Sequence, residues 1–359
     1  MRLLHVAQPT TEGTAAVVVQ LAGAAVAAGH DVTVASPPGG DLPDRAAGVG
    51  ARWAELPLAR RPGLRDLWAV LALRRRMRCY DVVHLHSSKA GAVGRLAAAS
   101  LRHRPAVVFT PHGWSWYSSE RLRAAYLRFE RWAARHADAT VAVSAEEYAD
   151  GLARLGGRSR LRLIENGVDT RVYLPDEAPR EPASILCVGR LSAQKGQDRL
   201  LRAVARLGRP GLRLTLAGDG PAEAELRRLA FDLGIAEAVS FVGRVDPLPL
   251  YQRATIVAMP SRWEGLSIAM LEAMAAGSAI VATAVGGAGM LAGAGRLVEG
   301  GSEEQIIAAL AGALERLLDD PDLRDQIGRA ARERAEERYS LERVARDHLT
   351  LWAELVTAR

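Results

Sequence analysis

Apolar residues fall in short unbroken runs along this chain, each followed by a loop with glycine and then by a helix-length segment. Residues 3–7 form the first run. A loop with Gly13 follows, then a helical segment to residue 28, then a second run at 29–36. Residues 184–218 repeat the plan, with "SILCVG", the loop "RLSAQKGQ", a helical segment from Asp198 and the run "GLRLTLAG". Strand, glycine-containing loop, helix and strand within about thirty residues make a βαβ unit. Further runs are "DVVHLHS", "AVVFTPHG" and "ATVAVS" in the first half, and "VSFVGR", "ATIVAMPS" and "SAIVATAVGG" in the second. Runs without polar alternation suit parallel strands covered on both faces. The pattern predicts an α/β chain of two doubly wound, Rossmann-like domains. The proline- and acid-bearing stretch 165–184 reads as the junction, and residues 339–359 as one long helix. We place the domains at 1–170 and 171–339, with a C-terminal helix at 340–359.

Size and composition narrow this reading. The chain has 359 residues, 49% apolar and 25% charged, as in a globular protein of two ordinary domains. Its longest apolar stretch, 15–28, is too short to span a bilayer. The N-terminus lacks the pattern of a signal peptide, and Cys79 and Cys187 form no metal or redox motif, so a reducing, cytoplasmic setting is expected. The net charge of +6 admits nucleic acid, an anionic membrane or a phosphorylated ligand. No nucleic-acid module is present. Arginine-rich amphipathic patterns at 60–78 and 120–136 are either solvated helix faces or peripheral contacts with anionic lipid.

Of the 47 basic residues only Lys89 and Lys195 are lysines. Lys195 closes the loop that begins at Gly189-Arg190, just before a helix. Two cations bracketing a glycine-containing βα turn, beside free helix N–H groups, suit a diphosphate. Arginine offers a planar fork and lysine a compact charge that fits between phosphates. In "PSRWEGLSIAMLEAMAAG", Glu264 lies in a loop and Glu272 in an apolar helix. A carboxylate there needs a partner, either vicinal ribose hydroxyls or a neighbouring arginine. Lys89 follows Ser87 and Ser88 at a strand end, where hydroxyls, helix amides and a cation make a second anion site or a simple capped turn. His84 and His86 share one strand face, but no third ligand is evident, so no metal site is expected. The Asp320-Pro321-Asp322 run reads as a helix end and a new N-cap. Trp114, Trp116 and Tyr117 line an acceptor surface, pack a core or face lipid at an edge.

These motifs together resemble retaining glycosyltransferases of family 4, with the GT-B fold. The likeness covers nearly the whole chain. It rests on Glu264-x7-Glu272, "GRLSAQKG", "AGDGP", "FVGRV" and "ENGVD", the last with Glu165 where proline is usual. "HSSKAGAVGRLAA" and "FTPHGW" resemble a subgroup acting on lipid-linked glycans in surface polysaccharide synthesis. The resemblance implies two domains facing across a cleft and a C-terminal helix that crosses back to the first. It implies transfer, with retention, from a nucleotide diphosphate sugar such as a UDP-hexose or UDP-N-acetylhexosamine to an acceptor glycan, glycolipid or small molecule. Arg190, Lys195, Glu264 and His112 would carry catalysis. Gly13, Gly189, Arg244, Gly265, Leu266, Ser267 and Glu272 would bind the donor, and Ser88, Lys89 and Trp114 the acceptor. No cofactor or metal is implied. Two departures stand out: Leu266-Ser267 replaces the frequent Phe-Gly, and the first loop carries Gly13 where the family often has paired glycines. A transferase of soluble natural products, a nucleotide-sugar epimerase and a non-catalytic nucleotide-sugar sensor share these features. Peripheral contact with the inner membrane face is a further expectation.

Overall fold

The computed structural model describes every residue except 60–62, 64, 118–120, 157–159 and 177. The chain divides into two compact units, Met1–Asn166 with Leu341–Arg359, and Gly167–Ser340. The first holds a seven-stranded sheet of β1 (Arg2–Ala7), β2 (Asp31–Ser36), β3 (Arg52–Glu55), β4 (Val82–His86), β5 (Ala106–Thr110), β6 (Ala139–Ala142) and β7 (Leu161–Leu163). Their order is β3-β2-β1-β4-β5-β6-β7 and every pairing is parallel. The second holds β8 (Ser184–Val188), β9 (Arg213–Ala217), β10 (Val239–Gly243), β11 (Ile256–Met259), β12 (Ile280–Thr283) and β13 (Arg296–Val298). Their order is β10-β9-β8-β11-β12-β13, again all parallel.

The central strands are buried along their length, as their apolar runs predict; β4, β5, β11 and β12 expose nothing. Their side chains build one core per unit, around Leu4, Val83, Leu85 and Phe109 in the first and Ile185, Leu200, Leu214 and Val281 in the second. Edge strands β3, β7 and β13 read "RWAE", "LRL" and "RLV". They escape the hydrophobic pattern because an edge covered on one side needs no apolar run.

Strand order reverses direction between β1 and β4 in the first sheet, and between β8 and β11 in the second. Such switch points, at the C-terminal strand ends, are where doubly wound sheets hold ligands. The terminal helix Leu341–Thr357 belongs to the first unit, where His348 and Trp352 are buried. Gly13, expected in a loop, lies in the first turn of the helix Glu12–Ala27 instead. Asp320 caps the helix Pro321–Arg338 by accepting from the Leu323 N–H, as its surroundings in sequence suggest. The start of the first basic pattern and Glu120 of the second lie outside the described residues.

Candidate active site

A cavity opens at the switch point of the second sheet. Cys187 and Val188 come from the end of β8, Met259 and Ser261 from the end of β11, and Thr283 from the end of β12. Lys195, Glu264 and Ser267 face the same space. Lys195 Nζ lies 2.5 Å from Glu264 Oε1, and the Ser261 hydroxyl donates to the same oxygen at 2.7 Å. Both charged side chains are largely shielded, at 21% and 11% exposure.

Local geometry makes this pair rigid. The Arg262 N–H donates to the Gln194 carbonyl at 2.7 Å, and Gln194 Nε2 donates to the Trp263 carbonyl at 3.1 Å. The loops carrying Lys195 and Glu264 are thus laced together. Gly196 has φ 67°, and a Cβ there would stand 2.1 Å from the Pro260 carbonyl oxygen, so only glycine allows the approach. Arg262 holds Asp198 at 2.7 and 2.8 Å and Glu303 at 2.5 Å, which fixes the loop against the helix Gln197–Leu207. Lys195 runs past Gly189, where an added Cβ would lie 3.4–3.7 Å from its methylenes. Burial pushes the Cys187 thiol up to about 12, which makes this wall of the cavity unreactive.

Arg190 stands two residues beyond β8, half-buried, and its carbonyl accepts from Gln197 Nε2 at 2.9 Å. Ser267 is the N-cap of the helix Ile268–Ala275 without a side-chain cap bond, so the first-turn N–H groups of that helix lie beside the cavity. Leu266 is buried next to it, and Gly265 packs its carbonyl where a Cβ on Gly287 would fall 2.0 Å away. Two tyrosines hold Glu272. The Tyr173 hydroxyl donates to Oε1 at 2.9 Å, and the Tyr251 hydroxyl lies 3.1 Å from Oε2. Arg332 steadies this arrangement by donating to the Tyr173 carbonyl at 2.8 Å. Arg244 sits on the exposed edge, 3.8 Å from Asp219, in a pair that contributes little.

The first unit holds the other expected residues. Lys89 Nζ lies 2.5 Å from Asp66 Oδ2, so the cation expected to meet an acceptor anion is engaged by a carboxylate. Ser88 lies in the first turn of the helix Ser87–Ala99. Trp114 is only 2% exposed and stacks on Trp116 at 4.4 Å, so it packs the core and does not line an acceptor surface. Tyr117 remains half exposed with its hydroxyl on Asp150. His112 lies in the turn beyond β5 with φ 52°, a left-handed conformation rare outside glycine. Glu147 fixes this turn: its carboxylate accepts from the Gly113 N–H and the Val143 N–H, both at 2.7 Å.

The expectation that His84 and His86 lack a third neighbour is overturned. Register on β1 places His5 opposite His84, and nitrogens of His5, His84 and His86 lie within 4.8 Å of one another, as metal ligands would. Two of these rings are already bonded to each other, His5 Nδ1 lying 3.0 Å from His86 Nε2, and among the described residues no carboxylate joins the group. Sequence reading missed His5 because register across strands, not spacing along one, brings it in. It also missed Ser261, Thr283, Tyr173, Tyr251 and Glu147. Ser261, Thr283 and Tyr173 stood in stretches already singled out, but without a role.

Comparison with known proteins agrees with this geometry. Residues 175–334 match the family Glycosyl transferases group 1, and residues 11–172 match Glycosyltransferase Family 4. Glycogen synthase of Mycobacterium tuberculosis is 32% identical over 279 residues, covering 74% of this chain and 66% of that protein, just under two thirds of its length. EpsD of Bacillus subtilis, named as a glycosyltransferase, is 31% identical over 281 residues, covering 71% of this chain and 72% of that one. Among solved structures, Anabaena HepE in complex with UDP-glucose superposes with a TM-score of 0.85 at 22% identity, over 100% of both chains. Sucrose-phosphate synthase from Thermosynechococcus elongatus gives 0.84, also at 22% and over 100% of both chains. These last two share its fold of paired Rossmann-like domains. With both halves matched and most of one relative spanned, the chain belongs to the glycosyltransferases, with a family 4 domain followed by a group 1 domain.

Proposed function

We propose that the chain moves a hexosyl or N-acetylhexosaminyl group from a nucleoside-diphosphate sugar, UDP-linked, to an acceptor hydroxyl with retention of anomeric configuration. The observation that carries the reading is the Lys195–Glu264 pair facing the switch-point cavity, with the N-cap Ser267 of the helix Ile268–Ala275 on its wall. Cations and helix amides gathered at strand C-termini suit a diphosphate. As the glycosidic bond breaks, negative charge grows on the departing phosphate, and Lys195 and Arg190 stabilise it in place. No second carboxylate faces Glu264 across the cavity among the described residues, so attack from the face of the leaving group fits better than double displacement. The departing phosphate oxygen takes the acceptor proton. Metal takes no part in this scheme, because the cations of the chain do its electrostatic work. The test is product analysis with chelator present. Transfer that survives chelation and keeps the α configuration by NMR supports the reading; metal-reversible loss or an inverted product contradicts it.

Glu272 is the ribose ligand in this reading. Glu272→Ala weakens affinity for the nucleoside diphosphate by about a hundredfold, the worth of two charge-assisted hydrogen bonds. Folding survives, because the buried Tyr251 hydroxyl also lies 3.1 Å from the Ala269 carbonyl and donates there. Calorimetric titration checks it, and unchanged affinity removes Glu272 from the donor site.

A lipid-linked acceptor is supported by the helix Arg65–Met77. It buries Ala69, Leu73 and Met77 but exposes Leu67, Trp68 and Leu71, with Arg74, Arg75 and Arg76 following. Apolar tips beside a basic run suit an anionic membrane surface. No helix among the described residues is long and apolar enough to cross a membrane. Trp68→Ser therefore lowers sedimentation with anionic liposomes several-fold and leaves neutral liposomes indifferent. Equal sedimentation of variant and parent removes this face from membrane contact.

A further inference from the structure

Five of the eight histidines gather in the first unit, at the switch point between β1 and β4. His5, His84, His86 and His348 are buried, and His112 is partly open to solvent. Three of them form a chain. His5 Nδ1 lies 3.0 Å from His86 Nε2, and His86 Nδ1 lies 3.1 Å from His112 Nε2. His84 stands aside from this chain, its Nε2 2.8 Å from Thr110 Oγ1.

A neutral imidazole has one N–H and one lone pair. Each link of the chain needs one of each, so the three tautomers are coupled. Only two arrangements keep both hydrogen bonds. In one, protons sit on His5 Nδ1, His86 Nδ1 and His112 Nδ1. In the other, they sit on the Nε2 of all three. The far end decides between them. His5 Nε2 is buried and has no hydrogen-bond partner among the described residues. An orphaned buried N–H is more costly and rarer than an unmatched acceptor. The first arrangement leaves only a lone pair at His5 Nε2 and is preferred. Burial holds all three rings neutral, His5 and His112 down to about 3 and His86 well below the usual range, so a doubly protonated ring does not break the coupling near neutral pH.

We propose that His86, itself oriented by His5, is a positioning residue that fixes His112 with its proton on Nδ1, so that His112 presents a neutral N–H donor to an oxygen of the transferred sugar. The proposal rests on the resemblance, which has His112 among the residues that carry catalysis and implies that it contacts the transferred sugar. Its backbone supports a set orientation: the residue is held at φ 52° between Pro111 and a Gly113 N–H pinned by Glu147. A donor of fixed tautomer helps a sugar hydroxyl or ring oxygen only if it does not rotate its proton away.

The experiment is nitrogen-15 NMR of the full chain labelled at histidine, with kinetics of three variants. Long-range proton–nitrogen correlations identify the protonated nitrogen of each ring. The expected result is His112 protonated at Nδ1 in the parent and in His86→Asn, whose amide N–H stands where His86 Nδ1–H stood. His86→Leu leaves His112 as a mixture of tautomers and lowers kcat about tenfold, with nucleoside-diphosphate affinity unchanged and His86→Asn recovering most of the loss. A parent His112 protonated at Nε2 overturns the proposal, and so does stoichiometric metal on His5, His84 and His86 in the purified protein. His112→Ala separates the two readings. If it keeps full activity while the tautomers are as expected, the sugar contact is wrong and the coupling stands. If His112→Ala is impaired but His86→Leu turns over like the parent, the contact stands and the positioning role falls.

Discussion

Lys195→Ala lowers kcat/KM by about a thousandfold, the loss expected when a preorganised charge at a developing oxyanion is removed. Lys195→Arg keeps nucleotide affinity within a few-fold but loses most of that turnover. The 2.5 Å contact with Glu264 places an ammonium, and a guanidinium at that depth has to displace Glu264 or stop short of it. The arginine variant is the informative one, because charge is conserved and only shape changes. Steady-state kinetics beside nucleotide titration separate the two effects. An arginine variant that turns over like the parent makes the lysine an accident of an arginine-rich composition.

Acid unfolds the first unit far above the pH at which its carboxylates protonate. Burial holds His5 down to about 3, His348 to about 4, and His84 and His86 well below their ordinary range. Their unfolded values lie near 6.5. A group with a depressed folded pKa contributes stability above the unfolded value and loses it as pH falls toward the folded one. Each therefore loses stability as pH falls below its unfolded value near 6.5, and the four losses act in the same direction. Glu147 opposes them. Burial raises it to about 7, so its contribution is present below its unfolded value near 4.5 and is lost as pH rises through 7. Urea denaturation followed by tryptophan fluorescence reads this well, since Trp263 is the one tryptophan of the second unit. Midpoints that fall steeply from pH 7 to pH 5, and flatten in the double variant His84→Leu/His348→Leu, are expected. A midpoint independent of pH over that range contradicts the account.

The parallel sheets were legible because buried central strands demand unbroken apolar runs, and "DVVHLH" and "SAIVAT" satisfy that demand without help from the rest of the chain. The residues of the switch-point cavity were legible because its loops are short. Lys195 and Glu264 sit in the turns directly after β8 and β11, neighbouring strands whose ends the fold must bring together. Contacts made across register were not legible. His5 meets His86 through pairing of strands 81 positions apart, and Tyr173 reaches Glu272 across 99. The partner of Lys89 was not legible for a related reason: Asp66 is 23 residues away on another helix. Trp114 misled because a tryptophan beside a glycine turn looks the same in sequence whether it faces a ligand or a core.

The central claim is that the switch-point cavity of the second unit holds the donor diphosphate. A crystal structure of the chain with bound UDP tests it most directly. The account predicts the diphosphate within hydrogen-bond reach of Lys195 and Arg190, at the N-terminus of the helix Ile268–Ala275, with the ribose hydroxyls on Glu272. Nucleotide bound elsewhere, or a diphosphate that leaves Lys195 on Glu264 and touches neither cation, contradicts it.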